Sequence, residues 1–198
     1  WIRQRLKNIN FKSYSLKRKK KNLNQIFDIV CNEIPASLFT KMDYDFFQKL
    51  VKKKIIYVFT VNKGKIITSV ITVVDYNNYN VLKREIMLFF LKNPIKILLN
   101  FKHLIRSIFK GSEPTFNKNF LHLLHFVIYK KYFMKISLKS KDSIFNYFFK
   151  KIVKNFNAKI LFLCYEKDNM AAKNFYSRNK FKIYAERPKI LFVKKKYI

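Results

Sequence analysis

Apolar residues recur along this chain with two different periods, and each change of period marks a new element. Between Leu23 and Asn32 the positions Leu23, Ile26, Phe27 and Val30 follow helical spacing. Phe46, Phe47, Leu50 and Val51 repeat that spacing behind Asp43, a residue type that caps helix N-termini. The stretch 55-IIYVFTVNKGKIITSVITVVD-75 is built instead of two β-branched and aromatic runs around Asn62-Lys63-Gly64-Lys65. It predicts an antiparallel hairpin whose turn takes its positive φ at Gly64. From Val81 to Lys110 the helical period returns and is broken at Pro94, which predicts two amphipathic helices. One side of this insertion carries Pro94, Leu98, Phe101, Ile105 and Ile108, and the other Lys92, Lys96, Lys102 and Arg106.

Past Gly111-Ser112-Glu113-Pro114, the run 119-NFLHLLHFVIY-129 shows no alternation, as a central strand buried on both faces does. The segment 130-KKYFMKISLKSKD-142 reads as a polar loop, after which Asp142 or Ser143 caps a helix carrying Ile144, Phe148 and Ile152. A second buried strand is predicted at 159-KILFLCY-165, a short helix within 167-KDNMAAKNFYSRNKFK-182, and two closing strands at 181–186 and 189–197 joined by Arg187-Pro188. Residues 3–22 hold a first strand and then a solvated turn at 17-KRKKKN-22. The order is strand, two helices, three strands with a helical insertion before the third, then helix, strand, helix and two strands. That order predicts an α/β fold with one mixed sheet. Residues 1–22 form its basic N-terminal strand and turn, residues 23–198 the main domain, and residues 81–110 the insertion.

Composition narrows the choice of function. With 198 residues, 49% of them apolar, the chain can bury the core of one ordinary domain. A formal charge of +32 points toward nucleic acid or an anionic membrane. Only seven of the 43 basic residues are arginine, however, and arginine is the residue that grips guanine edges and phosphates with two parallel hydrogen bonds. Nucleic acid is therefore not the expected partner. Lys, Asn, Ile, Phe and Tyr all have AT-rich codons, and this bias accounts for much of the charge. Cys31 and Cys164 lie in apolar contexts and read as buried free thiols in a reducing cytoplasm. Three histidines without a Cys/His cluster give no metal site. The chain opens on Trp1, as a fragment would, and shows neither a signal-peptide pattern nor the apolar run of about 20 residues that spans a bilayer. A cytoplasmic protein is expected. The insertion leaves a membrane-peripheral alternative, because a lysine stripe opposite Phe and Leu suits a lipid surface as well as it suits the domain's own core or a substrate cleft.

The stretch 167–182 sets Asn169, Ala172 and Tyr176 on one helical stripe and ends in Asn179-Lys180-Phe181. With Phe175, these residues resemble the pattern Asn-x-x-Ala-x-x-Phe-Tyr-x-x-x-Gly-Phe of the GNAT superfamily of acetyl-CoA-dependent N-acetyltransferases, with Lys180 in place of its glycine. Asn179 is then expected to take the left-handed conformation that ends the helix. The segments 35-PASLFTKMDYDFFQKL-50 and 59-FTVNKGKIITSVI-71, together with the insertion, are similar to members found among surface-polysaccharide biosynthesis genes, and the resemblance covers residues 23–198.

The resemblance implies a mostly antiparallel central sheet flanked by helices, and transfer of an acetyl group from acetyl-CoA to a primary amine. An amino sugar on a nucleotide carrier is among the acceptors it suggests. It places the cofactor's arm along the central strand at His125, Phe126, Val127 and Ile128, and makes Tyr176 the acid that protonates the departing thiolate. Spacing alone fits a packed phenol that reaches solvent equally well. Asn169 caps its helix and points at the cofactor, Ala172 leaves room for the arm, and Ala171 and Phe175 turn toward the core. His122, similar in position to a strand glutamate of relatives, is the candidate base and His125 the second choice; a buried structural role is the alternative for each. A regular strand sends the two to opposite faces. The family's phosphate loop, Arg/Gln-x-x-Gly-x-Gly/Ala, corresponds here to 129-YKKYFMKISLKSKDS-143, which contains no glycine. The lysines Lys130, Lys131, Lys135, Lys139 and Lys141, as point charges, and Ser137 remain to meet the phosphates. This departure keeps a second class of function in view, a GNAT-fold binding module without catalysis.

Overall fold

A computed structural model describes residues 14–19, 23–34, 41–95, 119–129 and 137–197, with Lys139 and Ser140 described by backbone only. The elements follow the predicted order: β1 (Tyr14–Lys19), α1 (Asn24–Glu33), α2 (Tyr44–Lys52), β2 (Tyr57–Lys63), β3 (Ile66–Asp75), α3 (Tyr76–Leu91), β4 (Phe120–Ile128), α4 (Leu138–Asn155), β5 (Ile160–Glu166), α5 (Met170–Arg178), β6 (Lys182–Glu186) and β7 (Ile190–Lys196). Seven strands form one sheet in the order β1-β2-β3-β4-β5-β7-β6, antiparallel throughout except between β4 and β5. No described helix is long and apolar enough to cross a membrane.

Alternation along the strands sends side chains to two separate cores. Val58, Val70, Val74 and Val127 pack with Ile26 and Val30 of α1, Phe47 and Leu50 of α2, and Leu82 and Phe90 of α3. On the opposite face Phe59, Ile71, Val73, Leu121 and Leu123 meet Phe145, Phe148 and Phe149 of α4, together with Tyr176 of α5. The β3–β4 register is Thr72↔His125 and then Val73↔Leu123, so Leu124 is an extra residue in β4, a β-bulge. His122 pairs with Val74 and His125 with Thr72. Both histidines therefore lie on the α1–α3 face, where a regular strand would have separated them.

Local chemistry sets most of the boundaries. Asp43 accepts the Phe46 N–H at 2.9 Å, the cap the sequence predicts, and Gly64 turns the β2–β3 hairpin at φ +60°. Asp75 caps α3 in the same manner, accepting from the Asn78 N–H at 2.8 Å, so this helix begins at Tyr76 rather than Val81. The weak helix formers in Asn77-Asn78-Tyr79-Asn80 hid that start. The fourth helix also starts early: Ser137 carbonyl accepts the Lys141 N–H at 3.0 Å, and Asp142 lies inside the helix, where Arg178 holds it, instead of capping it.

Lys17, Arg18 and Lys19 belong to strand β1 and not to a turn. Arg18 lies 4.5 Å over the Tyr57 ring, and charged side chains suit the edge strand of a sheet. The cysteines are free thiols but are not buried: Cys31 is half-buried, and Cys164 is exposed because β5 has parted from β4 by that point. The rest of the predicted turn at 20–22, the insertion beyond Ile95 and the loop 130–136 lie outside the described residues.

Candidate active site

The site begins where the sheet opens. β4 and β5 pair only at Phe120↔Ile160, Leu121↔Leu161 and His122↔Phe162. Beyond these residues β5 follows β7 as far as Glu166, while β4 stays with β3 as far as Ile128. The bulge at Leu124 bends β4 just where the two strands diverge. Beside the β4 edge that this divergence frees lies a cavity of about 630 Å³, a size that accepts a cofactor arm. Phe126, Val127 and Ile128 supply its β4 lining, and Asn169, Ala172, Phe175 and Tyr176 at and within α5 line it as well. Leu138, Lys141 and Asp142 of α4 and Glu33 and Ile34 at the end of α1 complete the lining, with Arg178.

Helix α5 is pinned at both ends. The Asn169 side chain accepts the Ala172 N–H at 2.9 Å, which is the predicted cap. At the other end the Phe181 N–H donates to the Tyr176 carbonyl at 3.0 Å and the Lys180 N–H to the Ser177 carbonyl at 2.9 Å, the paired bonds of a Schellman cap. The left-handed residue of this cap is Lys180, with φ +61°, rather than Asn179, whose φ is −85°. Asn179 is committed elsewhere. It is buried, its amide donates to the Phe175 carbonyl at 2.8 Å, and it accepts from the Asn146 amide. Lys180 therefore takes the backbone strain at the family's glycine position.

Tyr176 is buried, stacked on Tyr165 with ring centroids 5.6 Å apart and bracketed edge-on by Phe175 and Phe181 at 5.2 and 5.1 Å. Burial, then Cys164 and Tyr165, push its phenol well above its ordinary value, so the proton stays on at neutral pH. Phe175 turns to the core as expected, its ring in contact with Phe126 at a centroid distance of 5.3 Å, whereas Ala171 is exposed on the cavity wall and does not turn to the core.

The histidines stand apart from this cavity. His122 is buried with ring centroids 5.2 Å from Tyr79 and 4.9 Å from Phe162. Burial, and secondarily His122, lower the imidazole of His125 to about 4, so it is neutral at physiological pH. Neither residue lines the cavity, and Ser137 sits at the surface just before α4. Lys131 and Lys135 lie outside the described residues. Of the loop lysines, Lys141 does line the cavity, while the sequence reading missed Glu33 and the Arg178–Asp142 ion pair, which closes at 2.9 Å. Glu33 had a readable signal: it ends α1, where the helix dipole disfavours an acid, and it makes no ion pair among the described residues.

No family profile matches the sequence, and no curated protein matches it. Solved structures do. A probable acetyltransferase from Staphylococcus epidermidis matches with a TM-score of 0.59 at 9% identity, over 93% of this chain and 99% of that one. A GNAT-family acetyltransferase from Listeria monocytogenes matches with a TM-score of 0.54 at 11% identity, over 93% and 95% of the two chains. The fold is that of the GNAT acetyltransferases. A further GNAT-like match is the N-acetyltransferase PseH of Campylobacter jejuni, solved in complex with acetyl coenzyme A, with a TM-score of 0.52 at 15% identity over 92% of this chain and 98% of its own. At these identities the likeness is one of architecture.

Proposed function

We propose that this protein transfers an acetyl group from acetyl-CoA to a primary amine. The observation that carries the reading is the cavity between β4 and α5, lined both by a protonated, buried phenol and by a strand edge that no β5 ladder occupies. The residues present fit the cofactor. Backbone groups of β4 from Leu123 to Ile128 suit an extended, amide-bearing arm laid beside them. Ala172 keeps the facing helix low, Phe126 and Phe175 give the arm an apolar bed, and Lys141 stands at the mouth where phosphates would lie. Acetyl-CoA supplies an activated acyl thioester. Tyr176 protonates the departing thiolate, and the phenol's raised affinity for its proton keeps it loaded for that step. Glu33 attracts the acceptor's ammonium group into the cavity. His122, set back from the cavity, takes up the acceptor's proton through intervening water, a step suited to an imidazole.

A nucleotide-linked amino sugar is the acceptor we favour. The support is the chain's net charge of +32, which suits an anionic carrier, together with the resemblance of residues 23–198 to members found among surface-polysaccharide biosynthesis genes. Calorimetry with acetyl-CoA tests the core of the proposal, and absence of binding at millimolar ligand overturns it. Thiol release measured with a panel of amines, amino-sugar nucleotides included, then tests catalysis. Tyr176→Phe should lower turnover by about 10²- to 10⁴-fold and leave acetyl-CoA affinity unchanged; an unaltered rate removes Tyr176 from the acid role. A second reading, a binding module without catalysis, is favoured by the absence of glycine from 129–143. Acetyl-CoA binding with no thiol release from any amine would select it.

A further inference from the structure

Helix α3 is apolar around most of its circumference. Its inner arc, Leu82, Ile86, Phe89 and Phe90, packs into the core, with Phe89 4.4 Å from Phe46 of α2. On its outer arc Met87, Leu88 and Leu91 remain 52%, 40% and 62% exposed, and Ile95, past the end of the helix, is 74% exposed. A surface helix ordinarily turns charged and polar residues outward, and a contiguous exposed apolar strip marks a surface meant to be covered. The rim of this strip is of one sign. Lys83, Arg84 and Lys92 are exposed along it, while Glu85, the only acid in α3, is turned to α2 and held by Lys49 at 2.9 Å and Lys53 at 3.3 Å. At 16 residues the helix is too short to span a bilayer.

An apolar strip flanked by Lys and Arg suits the boundary between headgroups and acyl chains, and anionic lipid adds attraction for the cationic rim. We propose that the outer face of α3 docks this protein on an anionic membrane surface. Met87, Leu88, Leu91 and Ile95 enter the acyl boundary, and Lys83, Arg84 and Lys92 meet the headgroup phosphates. The net charge of +32 favours the same occupant, because it repels a second copy and attracts an anionic bilayer. This inference does not depend on the acetyl-transfer reading.

Co-sedimentation of the full chain with phosphatidylcholine vesicles, with and without phosphatidylglycerol, tests it. The protein should bind the phosphatidylglycerol vesicles, and part of that binding should survive high salt, because apolar insertion is not screened. Met87→Gln combined with Leu91→Gln keeps the helix propensity and should weaken binding about tenfold or more, with the melting temperature unchanged. Lys83→Gln, Arg84→Gln and Lys92→Gln together should flatten the salt dependence. Three results would overturn the proposal: no binding to phosphatidylglycerol vesicles, equal binding by the Met87→Gln/Leu91→Gln variant, or a lower melting temperature of that variant. The last would mean that protein, not lipid, covers the face.

Discussion

The burial of His125 makes the fold sensitive to mild acid, and the structure gives the size of the effect. In the unfolded chain this imidazole takes up a proton near pH 6.5; in the folded protein it resists until about pH 4. Between those limits the unfolded state binds more protons, so stability falls as the pH drops. Above pH 6.5 both states are neutral at this residue and it contributes no slope. The loss is about 1.4 kcal/mol for each pH unit, or about 3 kcal/mol by pH 4, a large share of an ordinary domain's stability. His125→Leu removes the titrating group while keeping an apolar side chain of similar bulk, and should lie within about 1.5 kcal/mol of the natural protein at neutral pH. Urea unfolding of both proteins in a series from about pH 7.5 down to about 4.5 measures the difference. The variant should gain on the natural protein steadily below pH 6.5, by about 3 kcal/mol at the acid end. Parallel acid limbs would refute the reasoning and show that His125 meets solvent or a partner that accepts its charge.

Two further changes test other parts of the site. Lys180→Gly releases the side chain from φ +61° and should stabilise the protein by about 0.5–1 kcal/mol, a rise of about 2 °C in melting temperature; a fall would show that the lysine side chain does more than tolerate its position. Glu33→Gln removes an acid from the C-terminal end of α1 and should raise stability by about 0.3–1 kcal/mol while raising the KM for the amine about tenfold; an unchanged KM would remove Glu33 from acceptor binding.

The residues that were legible in the sequence are those whose signal is local. Asp43 before an apolar stripe, Gly64 between two β-branched runs, and Asn169 three residues before Ala172 each act over one turn of chain, and each does in the structure what its spacing predicts. The failures depend on distant partners. Asp142 looks like a helix cap until Arg178, 36 residues away, occupies its carboxylate. Asn179 looks like the left-handed residue until Asn146 and the Phe175 carbonyl tie it down and pass the strain to Lys180. The bulge at Leu124 has no signal in Leu-His-Leu-Leu-His, because any of these residues can be the extra one and only pairing with β3 decides. The cavity combines both kinds of signal: its α5 lining was readable as a motif and Lys141 as one of the loop lysines, whereas only packing brings the acid at the end of α1 beside them.

The short β4–β5 ladder also says how the molecule holds together. Among the described residues, the core beneath α1, α2 and α3 draws on positions before 130, and what ties β5 to that face is Phe162, packed against Phe120 and His122. The rest of the attachment falls to three residue pairs and to the opposite core, where Phe145, Phe148 and Phe149 bridge Leu121 to Leu161 and Val193. The sheet is thus two rafts with a narrow mooring. A ligand hydrogen-bonded to both lips of the gap would serve as the absent strand, lashing the rafts along the stretch where the chain provides no bonds of its own. Binding in the cleft and cohesion of the fold then draw on the same contacts, and the melting temperature becomes a readout of occupancy.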